Sequence, residues 1–111
     1  VHMVAPYYVQ EMRVIESGDG NIDTGRKYAE NGLWPEAIAA WEKELTKEKP
    51  KPAVYYNLGL AYEVQGDFDR AEDFFKKAIN SESKDLYIES LARIRKARKE
   101  QARLREQLQN R

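Results

Sequence analysis

Residues 54–62 read Val54-Tyr55-Tyr56-Asn57-Leu58-Gly59-Leu60-Ala61-Tyr62. Tyr55, Leu58 and Tyr62 stand at i, i+3 and i+7, which is one stripe of an α-helix. Gly59 sits beside that stripe. A glycine inside a helix costs up to ~1 kcal/mol of propensity, so it is expected where a missing side chain lets another helix approach. Gly66-Asp67 predicts a helix end followed by a turn, with Asp67 or Asp69 placed to cap the next helix. In that next helix Ala71, Phe75 and Ala78 form the facing stripe: small Ala71 admits a close crossing and Phe75 fills the groove.

Working outward, the same pattern occurs one unit earlier. A slide of 34 residues places Gly25 on Gly59, Tyr28 on Tyr62, Gly32 on Gly66, Trp34 on Phe68, Ala37 on Ala71, Trp41 on Phe75 and Leu45 on Ile79, with no insertion. Pro35 falls near the start of the second helix of that unit, where proline is tolerated. The helical spacing of the Trp and Tyr stripes assigns them to a core and not to a cofactor box. Residues 52–85, with Tyr55, Leu58, Gly59, Tyr62, Gly66, Phe68, Ala71, Phe75 and Ala78, resemble a tetratricopeptide repeat (TPR). Residues 18–51 resemble a more divergent copy, in which Asn21 and Thr24 replace large apolar residues and Glu44 replaces the late alanine.

This resemblance implies an all-α fold, a right-handed stack of two helical hairpins closed by a long C-terminal helix. The expected division is an N-terminal segment 1–17, repeats 18–51 and 52–85, and a capping helix 86–111. Asp85 or Ser83 is placed to cap that helix, and no Gly or Pro interrupts it between Ser83 and Arg111. Leu86, Leu91 and Ile94 continue the apolar pattern, whereas the apolar residues thin out beyond Ala97, so the last turns are expected to project. In the N-terminal segment Tyr8, Met12 and Ile15 have helical spacing, and the same run is rich enough in β-branched and aromatic residues to be extended. Val1-His2-Met3 has the look of a cloning scar.

Composition narrows the function classes. Without cysteine there is no disulfide framework, thiol catalysis or zinc-thiolate site. No apolar run approaches the ~18–20 residues of a membrane span. Cytoplasm and periplasm both remain open. Net charge is zero but unevenly spread: residues 92–111 carry eight basic and two acidic residues, residues 1–91 eleven basic and seventeen acidic. His2 is the sole histidine, so no Ser-His-Asp set can form, and the chain is expected not to be an enzyme and to need no cofactor. Asp19-Gly20-Asn21-Ile22-Asp23, with Glu30 further on, echoes a calcium loop. Thr24 stands where that loop needs Gly, so the preferred reading is a turn in which Asp19 or Asn21 caps the next helix.

The expected function is therefore a non-catalytic scaffold or adaptor, the C-terminal part of a larger bacterial protein, whose partner is another protein or peptide. The family resemblance implies a concave peptide groove lined by Asp23, Arg26, Tyr56, Asn57, Leu60 and Glu63. Asn57 can offer a donor and an acceptor to a peptide backbone. The family's clamp for chaperone tails is not expected: its first-helix places for Lys and Asn hold Ile22 and Arg26, its third-unit places for Lys and Arg hold Tyr87 and Leu91, and only Asn57 matches. The basic tail comprises Arg93, Arg95, Lys96, Arg98, Lys99, Arg103 and Arg105. It lacks interleaved aromatics, which argues against nucleic acid. The alternative function is oligomerisation, with this helix lying on the acidic repeats of another copy or pairing through Leu104 and Leu108.

Overall fold

The computed structural model describes residues 15–110, and the described residues are all-helical. The elements are α1 (Asn21–Glu30), α2 (Trp34–Glu44), α3 (Pro52–Val64), α4 (Phe68–Ser81) and α5 (Asp85–Gln109). Helices adjacent in sequence pack on one another: α1 on α2, α2 on α3, α3 on α4 and α4 on α5. The proposed helix around Tyr8 and Met12 and the cloning scar lie outside the described residues, while residues 15–18 belong to no helix.

Two tight approaches set the hairpins. A Cβ added to Gly59 would lie 2.5 Å from Phe75 Cε1, and one added to Gly25 would lie 2.3 Å from Trp41 Nε1. No real Cβ approaches so closely, so α3 on α4 and α1 on α2 pack through the same glycine–aromatic contact. Trp41 adds a buried hydrogen bond, its indole N–H donating to the Ile22 carbonyl at 3.0 Å. The hairpin turns end on Gly32 and Gly66, with φ of 75° and 80°, a conformation that favours glycine.

The divergent positions of the first hairpin compensate for each other. Asn21, where the second unit has Tyr55, donates to the Glu44 carboxylate at 3.1 Å. Glu44 stands where the second unit has Ala78, and it is buried. Burial without a partner would be costly, but Asn21 and Lys47 both reach this carboxylate. The hydrogen bonding from Lys47 leads the effects that hold the Glu44 pKa below the usual carboxylate range.

Tyr28 departs from its expected place in the core. It is 39% exposed, whereas Tyr62 is 8% exposed. Tyr62 stacks on Phe74 with ring centroids 5.7 Å apart and lies under Arg70. The corresponding places in the first hairpin hold Ala40 and Glu36, which offer Tyr28 neither contact.

The caps also differ in part from expectation. Asp67 caps α4, accepting from the Arg70 N–H at 3.2 Å. Neither Asp19 nor Asn21 caps α1: the N-cap is Gly20, with φ of 54° and no side-chain bond. Neither Ser83 nor Asp85 caps α5, whose N-cap is Lys84. That lysine is drawn instead to a carboxylate described below.

Candidate functional site

The predicted groove residues divide into two groups. Asp23 and Arg26 sit half-buried on α1 and pair with each other, Arg26 Nε donating to Asp23 at 3.1 Å. Hydrogen bonding from Arg26 leads the effects that lower the Asp23 pKa. Asp23 and Glu30 thus serve as ion-pair partners of Arg26, and no metal-binding cluster of His, Cys, Asp or Glu exists among the described residues.

Tyr56, Asn57, Leu60 and Glu63 lie on the other side of the prediction: α3 presents them, but all are buried. Tyr56 and Leu60 do not form an open apolar wall: both belong to the buried core, and Tyr87 of α5 packs against Tyr56. Tyr56 lies between Tyr87, at 5.2 Å between centroids, and Phe75, at 6.0 Å. Burial pushes its phenol up to about 12. Glu63 is fully buried and takes a two-point contact from Arg93, at 3.0 Å from Nε and 2.8 Å from Nη2.

Asn57 turns its carboxamide to the chain's own backbone. The Glu16 N–H donates to Asn57 Oδ1 at 2.9 Å, and Asn57 Nδ2 donates to the Glu16 carbonyl at 2.9 Å. One buried carboxamide therefore satisfies both backbone groups of one residue. The Glu16 carboxylate accepts from Lys84 at the start of α5 and from the Tyr87 hydroxyl. This contact raises the Lys84 pKa, the hydrogen bond to Glu16 being its largest cause. Tyr87 is also raised, first by burial and then by the same carboxylate.

Glu16, Lys84 and Tyr87 are absent from the residues that the sequence marks. Tyr87 counted only as a mismatch to a basic residue, and Glu16 is 41 residues away from Asn57. The one available signal was the ability of Asn57 to hold a backbone, which does not say whose backbone.

The basic tail is largely neutralised within the chain. Arg93 pairs with Glu63, Arg95 with Glu72, and Arg98 with both Glu72 and Asp69. Burial pushes the Glu72 carboxyl up, but hydrogen bonds from Arg95 and Arg98 outweigh it and hold the pKa below the usual value. Arg103 pairs along the helix with Glu100. Lys96, Lys99 and Arg105 form no ion pair among the described residues. From Arg98 to Gln109 α5 is mostly exposed, including Leu104 at 57% and Leu108 at 65%. No helix among the described residues is long and apolar enough to cross a membrane.

Residues 23–110, covering the described helices almost completely, match a family model described as Domain of unknown function (DUF6340). The chain belongs to the DUF6340 family. This match corrects the family expectation: the matching family is not the tetratricopeptide one, although the internal 34-residue register is plain in the sequence. Among curated proteins, the chain is similar to a Pseudomonas aeruginosa protein named "Probable biofilm formation methyltransferase WspC", with 36% identity over 75 residues. The match covers 68% of this chain and 17% of that protein, so the chain spans about a sixth of its relative's length. The relative's name overturns the expectation that enzymes can be set aside for this DUF6340 chain. No solved structure matches it.

Proposed function

We propose that this DUF6340 chain is a protein-interaction module, a scaffold or adaptor unit that holds an extended peptide segment against α3 and α5. In this reading its two hairpins and α5 form a short right-handed helical stack, and α3 supplies the backbone-reading side chain. One observation carries the proposal: Asn57 is buried, yet it spends both halves of its carboxamide on the backbone of a segment outside any helix. The carboxamide reaches main chain 41 residues away in sequence, an arrangement suited to receiving an extended backbone. Selection of displayed peptides on the intact chain, followed by affinity measurement, tests it. Measured in a chain carrying Glu16→Pro, whose residue 16 has no N–H to give Asn57 and so frees the carboxamide, Asn57→Ala removes two hydrogen bonds to the incoming peptide worth about 0.5–1.5 kcal/mol each, and selected peptides should bind about tenfold more weakly. Asn57→Asp, which keeps the acceptor and loses the donor, should fall between. Equal affinity for all three proteins would refute the proposal.

The similarity to a probable biofilm formation methyltransferase favours a second reading, that the unit takes part in methyl transfer as one section of a larger protein. Incorporation of a labelled methyl group into protein, measured with and without the chain, tests this. No change in incorporation would count against it. The alternative of oligomerisation through the basic helix has less support, because Arg93, Arg95 and Arg98 already have partners in their own chain.

A further inference from the structure

The segment held by Asn57 carries more information than the presence of a groove. The N–H and C=O of one residue point to the same side when its backbone is extended, as in a β-ladder. Asn57 meets Glu16 in this way, so it recognises an extended residue without reading its identity. Identity is read next door. Lys84 and Tyr87 converge on the Glu16 carboxylate, whose side chain is only 14% exposed. Both are donors at neutral pH, and a carboxylate accepts from both, whereas a neutral amide would satisfy them less well. Ile15 packs against the core on one side, and on the other Gly18 passes over Ile22, where a Cβ would lie 2.9 Å from Ile22 Cδ1.

We propose that Asn57, Lys84 and Tyr87 form a recognition site for an extended peptide bearing a carboxylate side chain, and that the chain's own Glu16 fills it in cis. The inference rests on the interaction-module reading and specifies its ligand and its competitor. A tethered segment competes at an effective concentration of about millimolar, so an acidic peptide in trans must displace residues 15–18 to enter. The site is thus gated by its own occupant. Weakening the Glu16 contact opens it without touching the receptor residues.

The test uses the full chain and an end-blocked peptide with the sequence of residues 15–20, titrated while the backbone amides of residues 54–60 in α3 are followed by NMR, a readout that every variant keeps. Glu16→Gln should lower the half-saturation concentration about tenfold relative to the parent chain. A peptide with Gln in place of its Glu should bind that variant at least about fivefold more weakly. Equal half-saturation for parent and variant overturns the proposal, as does equal binding of the two peptides by the variant. Adding Asn57→Ala to Glu16→Gln separates the two readings. If both peptides bind equally and still depend on Asn57, the acidic site is lost but the backbone-reading module stands. If binding ignores Asn57, the module reading fails as well.

Discussion

Replacing Arg93 with methionine should destabilise this small domain more than the same replacement of any other basic residue in α5. Glu63 is 0% exposed, and its carboxylate is held by two nitrogens of Arg93. Methionine keeps much of the aliphatic stem but removes the charge, and with it the guanidinium whose Cζ lies 6.0 Å from the Phe75 ring centroid. The buried carboxylate then loses this partner, a situation that costs about 3–5 kcal/mol. A domain of this size shifts its melting temperature by roughly 4–8 °C per kcal/mol, so the loss should be at least ~12 °C. Urea denaturation followed by tryptophan fluorescence reads it directly, since Trp41 is fully buried. The double variant Arg93→Met with Glu63→Leu removes both charges and should recover to within about 1–2 kcal/mol of the parent. Lys99→Met, at an exposed position, should stay within about 0.5 kcal/mol. If Arg93→Met behaves like Lys99→Met, the pair is not the buried contact described, and the basic helix would be available to other partners after all.

Two further outcomes follow from the packing and the charges. Gly59→Ala should destabilise by about 1–3 kcal/mol despite alanine's better helix propensity, because its Cβ would meet Phe75 at 2.5 Å; an unchanged or raised midpoint in thermal melting would contradict the close crossing. On the acid side, the folded-state pKa of Glu72 is lowered from 4.5, so its stabilisation is present above that value and is lost as pH falls through the folded pKa. Glu72→Gln should therefore flatten the acid limb of stability against pH. On the alkaline side Lys84 is raised from 10.5, so its contribution is complete below that pH and is lost as pH climbs through the folded value. Denaturation midpoints across pH for Glu72→Gln and Lys84→Met check both limbs, and parallel curves for parent and variants would refute the assignments.

The helices were legible because their signals are local. The stripe Ala71, Phe75 and Ala78 lies within one helix, and Gly66 stops the preceding helix by its own backbone conformation. The glycine–aromatic contacts were also legible, since the register that aligns Gly25 with Gly59 aligns Trp41 with Phe75. What local reasoning could not see was which face α5 would cover. Tyr56 and Leu60 lie off the internal stripe of their own hairpin, and that geometry alone makes them look open. Tyr56 is covered by Tyr87 of α5, two helices on, and Leu60 is buried in the same core, a tertiary fact. Glu16 was hidden for the same reason. Its contacts to Asn57, Lys84 and Tyr87 span 41, 68 and 71 residues, and no periodicity reaches that far.

The uneven charge of the chain takes on a different meaning once these contacts are known. An excess of basic residues in the last twenty and of acidic residues before them suggests, on its own, a tail seeking an acidic partner. In the folded chain Glu63 and Glu72 on α3 and α4 draw Arg93, Arg95 and Arg98 onto their own stack. The asymmetry is then largely the signature of α5 docking rather than of a vacant binding surface. The two explanations respond differently to salt. At 0.15 M ionic strength exposed charges are screened over ~8 Å, while buried pairs are screened much less. A basic surface contacting a partner would weaken steeply as salt rises. The Arg93–Glu63 pair, closed at its acidic end, should persist. Salt-resistant docking of α5 together with salt-sensitive behaviour confined to Lys96, Lys99 and Arg105 is the pattern expected of a helix whose first half closes the fold and whose exposed second half remains free to meet something else.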